Sequence, residues 1–103
     1  MNEISLTVRM PQDLNDQLTA LCKRLGLPKL PFLRFSVWVF LNDDPKDLIF
    51  DEIQSDSKFR FTFNVNKNIY DILETTSKRY EQSINSVVIK VANMALERYS
   101  TYL

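Results

Sequence analysis

A chain of 103 residues, 45% hydrophobic and with seven Phe, four Tyr and one Trp, is long enough for one domain with a modest core. Its formal charge is zero and its pI about 6.2, so the overall balance announces no nucleic-acid partner. A single cysteine excludes an internal disulfide, the absence of histidine removes the common zinc ligand sets, and no apolar run reaches the roughly 18 residues of a membrane span. With no charged-then-apolar leader at its start, the expectation is a cytoplasmic protein with no membrane partner.

In chain order, Ile4–Met10 alternates apolar with polar residues, the mark of a strand buried on one face. Pro11 then fits the first position of a helix, and Asp13 adds negative charge where the helix dipole favours it. Leu14, Leu18, Leu21 and Leu25 form one apolar stripe, Lys23-Arg24 close the helix, and Gly26 is a natural C-cap. Pro31 is read as the first residue of a second helix over Phe32–Leu41, FLRFSVWVFL, a buried element with Arg34 inside it. Within it Trp38 is assigned to the core by default, with an oligomer contact as the alternative.

Residues 42–57 read as an acidic linker. From 43 to 58 there are six acids (Asp43, Asp44, Asp47, Asp51, Glu52, Asp56) against Lys46 and Lys58, which leaves 11 basic and 7 acidic residues elsewhere. Asp44-Pro45 is expected to open one short helical turn through Leu48, Ile49 and Ile53. The acids lack the ordered spacing of a calcium loop, so no metal is expected. From Phe59 the opening pattern returns. FRFTFNV alternates like a strand; Asn66 is placed to cap a helix with Ile69, Leu73, Thr76 and Tyr80 on its apolar side; Lys78-Arg79 close it; and Ser83-Ile84-Asn85-Ser86 offers caps for a last, central helix over Ser86–Tyr99.

The chain is therefore two copies of one unit. A shift of 55 residues lays Ile4, Leu6, Val8 and Met10 over Phe59, Phe61, Phe63 and Val65, and superposes Thr7 on Thr62, Leu18 on Leu73 and Lys23-Arg24 on Lys78-Arg79. One unit of roughly 45 residues cannot bury its apolar face alone, whereas two can. Pairing the strands antiparallel over four helices puts the apolar set inside and displays Ser5, Thr7, Arg9, Arg60, Thr62 and Asn64. The expected organisation is a single intertwined domain over 1–103, with repeats at 3–41 and 58–99 joined by the linker.

On these features, above all FRFTFNV followed by SINS, the sequence resembles the ribbon-helix-helix family of Arc- and MetJ-like DNA-binding proteins. The resemblance covers about residues 3–41 and 58–99; the first copy departs at LPKLP, where prolines replace the polar helix start. It implies a mostly α fold with a two-stranded antiparallel β-ribbon, a tandem ribbon-helix-helix pseudo-dimer in the order β-α-α-linker-β-α-α. It also implies that the ribbon enters a DNA major groove and that the second helices turn their N-termini to phosphates.

The residue types agree with double-stranded DNA as partner. Arginine reads guanine bidentately, asparagine reads adenine, and threonine meets a thymine methyl or accepts from a base. Arg9, Arg60, Asn64, Thr7, Thr62 and Ser5 are therefore the candidate base readers. A pseudo-two-fold axis between Thr7 and Thr62 puts Arg9 opposite Arg60 and Ser5 opposite Asn64, which predicts an asymmetric reader of a non-palindromic site. Ser83, Asn85 and Ser86 make an anion site at a helix start, and Lys29 is the candidate point charge in the first copy. Lys23, Arg24, Lys78 and Arg79 are either DNA-flanking or solvated helix ends.

No catalytic constellation is present, so no enzyme activity, cofactor or small-molecule ligand is expected. The reading is a sequence-specific transcriptional regulator, a repressor of a virus, phage or plasmid, with self-association of chains on adjacent sites as a further possibility. The alternatives are an accessory protein of plasmid conjugation and an antitoxin-like protein-binding module.

Overall fold

In the computed structural model, which describes residues 3–50 and 59–102, the two alternating segments become strands Ile4–Met10 (β1) and Phe59–Val65 (β2). They pair antiparallel as a two-stranded sheet in which Thr7 faces Thr62, Ser5 faces Asn64 and Arg9 faces Arg60. Val8, Met10, Phe63 and Val65 are fully covered, while Ser5, Thr7, Arg9, Arg60 and Thr62 are exposed. Period two thus sorts the strand residues onto a core face and a free face.

Four helices lie beneath: Gln12–Leu25 (α1), Lys29–Leu41 (α2), Lys67–Tyr80 (α3) and Ile84–Tyr99 (α4), followed by a short 3-10 turn at Ser100–Tyr102. Leu14, Leu18 and Leu21 of α1 and Ile69, Leu73 and Thr76 of α3 are buried, as their spacing requires. The most enclosed helix is α4, with Val87, Val88, Val91, Ala92 and Ala95 in the core; it packs on α1, α2, α3 and β1.

Three helix starts differ from expectation. Pro11 is the N-cap of α1 rather than its first residue, and Asn15 N–H donates to its carbonyl at 3.0 Å. Pro28, not Pro31, precedes α2, so the helix begins at Lys29 and Pro31 falls in its first turn. No amide there has an intrahelical acceptor, so a proline costs no hydrogen bond. The last helix begins at Ile84, because the Ser83 hydroxyl accepts from Ser86 N–H at 3.0 Å. Asn66 caps α3 as expected, accepting from Ile69 N–H at 2.9 Å.

Both first helices end in the same left-handed motif. Gly26 (φ 71°) closes α1, with Leu27 N–H on the Cys22 carbonyl and Gly26 N–H on that of Lys23. Glu81, its counterpart in the repeat, closes α3 at φ 52° with the same two bonds from Gln82 and Glu81. Glycine takes this conformation freely; glutamate takes it at a cost and adds negative charge to a helix C-terminus. Glu81→Gly is therefore expected to stabilise the fold by about 0.5–1 kcal/mol. Urea titration followed by circular dichroism checks this; a lower midpoint would contradict it.

The linker does not form the expected helical turn in its described part, Asn42–Phe50. Asp44 and Asp47 both have positive φ (51° and 69°), which breaks helical continuity. The Tyr80 hydroxyl supplies the bonds a helix would have made: it donates to the Pro45 carbonyl at 2.6 Å and accepts from Leu48 N–H at 3.3 Å. The Phe50 ring lies tilted against the Tyr80 ring with centroids 5.4 Å apart, and Arg79 pairs with Asp44 at 2.9 Å. Asp51, Glu52, Ile53, Asp56 and the rest of residues 51–58 lie outside the described residues.

The expected fold class needs correction. In place of a ribbon-helix-helix pseudo-dimer, the structure has a mostly helical fold with one two-stranded antiparallel ribbon and four helices in the order β-α-α-β-α-α. That order is consistent with a tandem β-α-α arrangement, but its halves are unequal. The 13-residue α2 has no side-chain cap, whereas the 16-residue α4 is capped by Ser83 and leads into the terminal 3-10 turn. Trp38, assigned to the core from sequence, lies on the surface, because α2 is apolar on both sides and buries only one.

Candidate nucleic-acid interface

The free face of the ribbon is built by strand alternation and set by its edges. Asn85, on the first turn of α4, accepts from Arg9 N–H at 2.8 Å and donates its carboxamide to the Arg9 carbonyl at 2.9 Å. On the opposite edge, the Arg34 guanidinium of α2 donates to the Asn64 carbonyl at 2.9 Å. Arg9 and Asn64 occupy equivalent positions in the two repeats, so each second helix holds the strand of the other repeat. Three edge groups, the Arg9 N–H and carbonyl and the Asn64 carbonyl, which would otherwise need water or a third strand, are satisfied in this way.

This clamp fixes the geometry of the face. Because Arg9 turns both its N–H and its carbonyl toward Asn85, the Arg9–Arg60 pair is of the narrow, non-hydrogen-bonded kind, with Cα atoms about 4.5 Å apart. Alternation makes Thr7–Thr62 and Ser5–Asn64 narrow pairs as well. All six candidate readers thus stand on one face as three close cross-strand pairs. At one end Ser5 Oγ donates to Asn64 Oδ1 at 2.7 Å, which orders the amide and leaves its NH₂ to donate outward. At the other end two exposed arginines stand directly opposite each other, and among the described residues neither has an acidic partner. One end is cationic and the other is neutral and amide-bearing.

The four candidate phosphate ligands divide. Ser83 and Ser86 lie at the mouth of α4, their hydroxyls 3.0 Å apart, and Ser83 is engaged in capping. The cap leaves the Ile84 and Asn85 amides without a partner among the described residues, two donors at the positive end of a 16-residue helix. The Asn85 side chain, by contrast, is committed to the strand backbone. Lys29 also turns inward: its ammonium donates to Asn15 Oδ1 at 2.5 Å and lies 4.5 Å from the Phe59 ring centroid. Burial lowers the Lys29 pKa, and the neighbouring Cys22 thiol and Asp16 carboxylate pull it partly back. Placed there, Lys29 braces the ribbon's apolar underside rather than offering a point charge to a phosphate.

No family model, curated protein or solved structure matches this chain.

The helix-end cations separate too. Arg79 is held by Asp44 and Lys78 lies 3.8 Å from Glu74, so both serve the protein's own surface. Arg34 and Asn85 are the two residues whose roles sequence reasoning missed. Arg34 looked like a charge stranded in an apolar helix, and Asn85 looked like part of an anion site at a helix start. Only the path of the opposite repeat's strand reveals what they touch.

Proposed function

We propose that the protein is a sequence-specific double-stranded DNA-binding regulator that inserts its two-stranded ribbon into the major groove and acts by occupying its operator. The carrying observation is the six-residue face on which Arg9 opposes Arg60 and Ser5 opposes Asn64, held by an edge clamp on each side. A major groove about 12 Å wide admits such a ribbon, and these side chains carry the donors and acceptors that distinguish base pairs. The paired guanidiniums favour guanines at one end of the site, and the Asn64 amide favours adenine at the other. The site is therefore non-palindromic, although the protein is built from a repeat. The amides at the α4 start favour a phosphate beside the arginine end, which is also the end that Asn85 fixes.

Selection of bound duplexes from a random pool tests this directly. The expected result is an enriched asymmetric motif with its G·C pairs toward one side, bound with an affinity that falls steeply as salt is raised. A pool that fails to converge, together with salt-insensitive binding, would refute the reading.

A further inference from the structure

We infer that the outer face of α2 is a homotypic contact surface, on which a second copy of this chain packs α2 against α2 in antiparallel fashion about a two-fold axis. Phe35, Trp38 and Val39 are 59%, 46% and 36% exposed and fall at i, i+3 and i+4, with exposed Pro31 and Asn42 completing the same side of the helix. A helix apolar all round is ordinarily one that is covered all round. The repeat supplies an internal control. The positions of α4 related to Phe35, Trp38 and Val39 by the 55-residue shift are Lys90, Asn93 and Met94. Lys90 and Met94 are half-buried there, Met94 against the core, and Asn93 is exposed; the fold needs no aromatic residue at that place, so the exposed aromatic surface on α2 answers a requirement other than folding.

The second copy is favoured by the shape and charge of the face. A two-fold contact needs a self-complementary patch. Antiparallel packing centred near Val37 sets Phe35 of one copy against Trp38 and Val39 of the other. It also brings the positive start of α2, which has no acidic residue in its first turn, beside Asp43, exposed just past the end of the partner helix. The area sets the strength. About half of two aromatic side chains of roughly 150–250 Å² each is far below the roughly 800 Å² per partner of a free-standing complex. The free protein should thus associate only weakly, with a dissociation constant on the order of 0.1–1 mM. Two copies held on neighbouring DNA sites reach effective concentrations in that range, so the same contact would give cooperative binding there. Only this last step rests on the DNA-binding reading.

Sedimentation of the free protein from about 10 μM to 1 mM tests the contact, with Trp38, the only tryptophan, as a second reporter. The expected result is a rising sedimentation coefficient and a blue shift of Trp38 emission with concentration. Phe35→Lys, which installs the α4 counterpart, should abolish both while leaving the far-ultraviolet circular dichroism unchanged. On a duplex carrying two adjacent selected sites, the wild type should bind cooperatively and Phe35→Lys independently, with equal single-site affinity. A wild type that stays monomeric to 1 mM, or a Phe35→Lys variant that associates equally well, would overturn the inference. Failure to bind any DNA would instead count against the proposed function, with sedimentation still deciding the contact.

Discussion

Replacing Arg9 or Arg60 by alanine is expected to weaken binding to the selected site by about 1–3 kcal/mol, roughly fivefold to 150-fold, and to relax sequence preference at the G·C end alone. The same substitutions should leave the free protein no less stable. The two guanidiniums stand in a narrow cross-strand pair with no acidic partner among the described residues, and like charges directly opposite one another destabilise a sheet by a few tenths of a kcal/mol. Removing one therefore raises folding stability slightly while lowering affinity. Opposite signs in the two measurements identify a binding residue, since a residue that supports the fold would lose on both. Competition binding on site variants, beside urea denaturation of the free protein, gives the comparison. Equal affinity of the wild type and the double variant for the selected site would end the assignment.

What the sequence made legible was the part governed by local period. Alternation assigned Val8, Met10, Phe63 and Val65 inward and the six candidate readers outward, and register followed because a slip of one residue would turn every apolar side chain to water. The stripes of α1 and α3 were legible for the same reason. Where local signals were degenerate, the reading failed. In α2 every side is apolar, so period gave no means of telling which residues face out, and Trp38 was misplaced. Asp44-Pro45 resembles a helix start, but a tyrosine hydroxyl 35 residues away holds the segment open. Lys29 and Asn85 looked like phosphate ligands because a helix start was their only visible context. Their partners, Asn15 and the Arg9 backbone, come from other elements. The family-level fold class failed differently: local pattern supports only a mostly helical β-α-α-β-α-α chain with one ribbon, in which a proline-led α2 holds the ribbon through Arg34 and a serine-capped α4 through Asn85.

The largest loss of stability is expected from Phe63→Ala. Phe63 has no exposed surface, is the bulkiest of the fully buried side chains, lies opposite Leu6 across the ribbon, and meets the Phe61 ring edge-on at 6.3 Å. Its counterpart in the first repeat is Val8, so the pseudo-two-fold core is filled by a large side chain on one strand and a small one on the other. Truncation to alanine would leave two small residues over one cavity, at a cost of about 3–5 kcal/mol. Domains of this size have roughly 5–15 kcal/mol in total, so the variant should lose a large share of its stability and should bind DNA in proportion to its folded fraction. Thr62→Ala, one residue away but on the outer face, should shift stability by no more than about 0.5 kcal/mol while changing base preference. The pair separates the two faces of one strand: denaturation midpoints should move for Phe63→Ala alone, and selected sequences should move for Thr62→Ala alone. A Phe63→Ala protein as stable as wild type would mean that this strand is turned over, and with it every residue assigned to the groove.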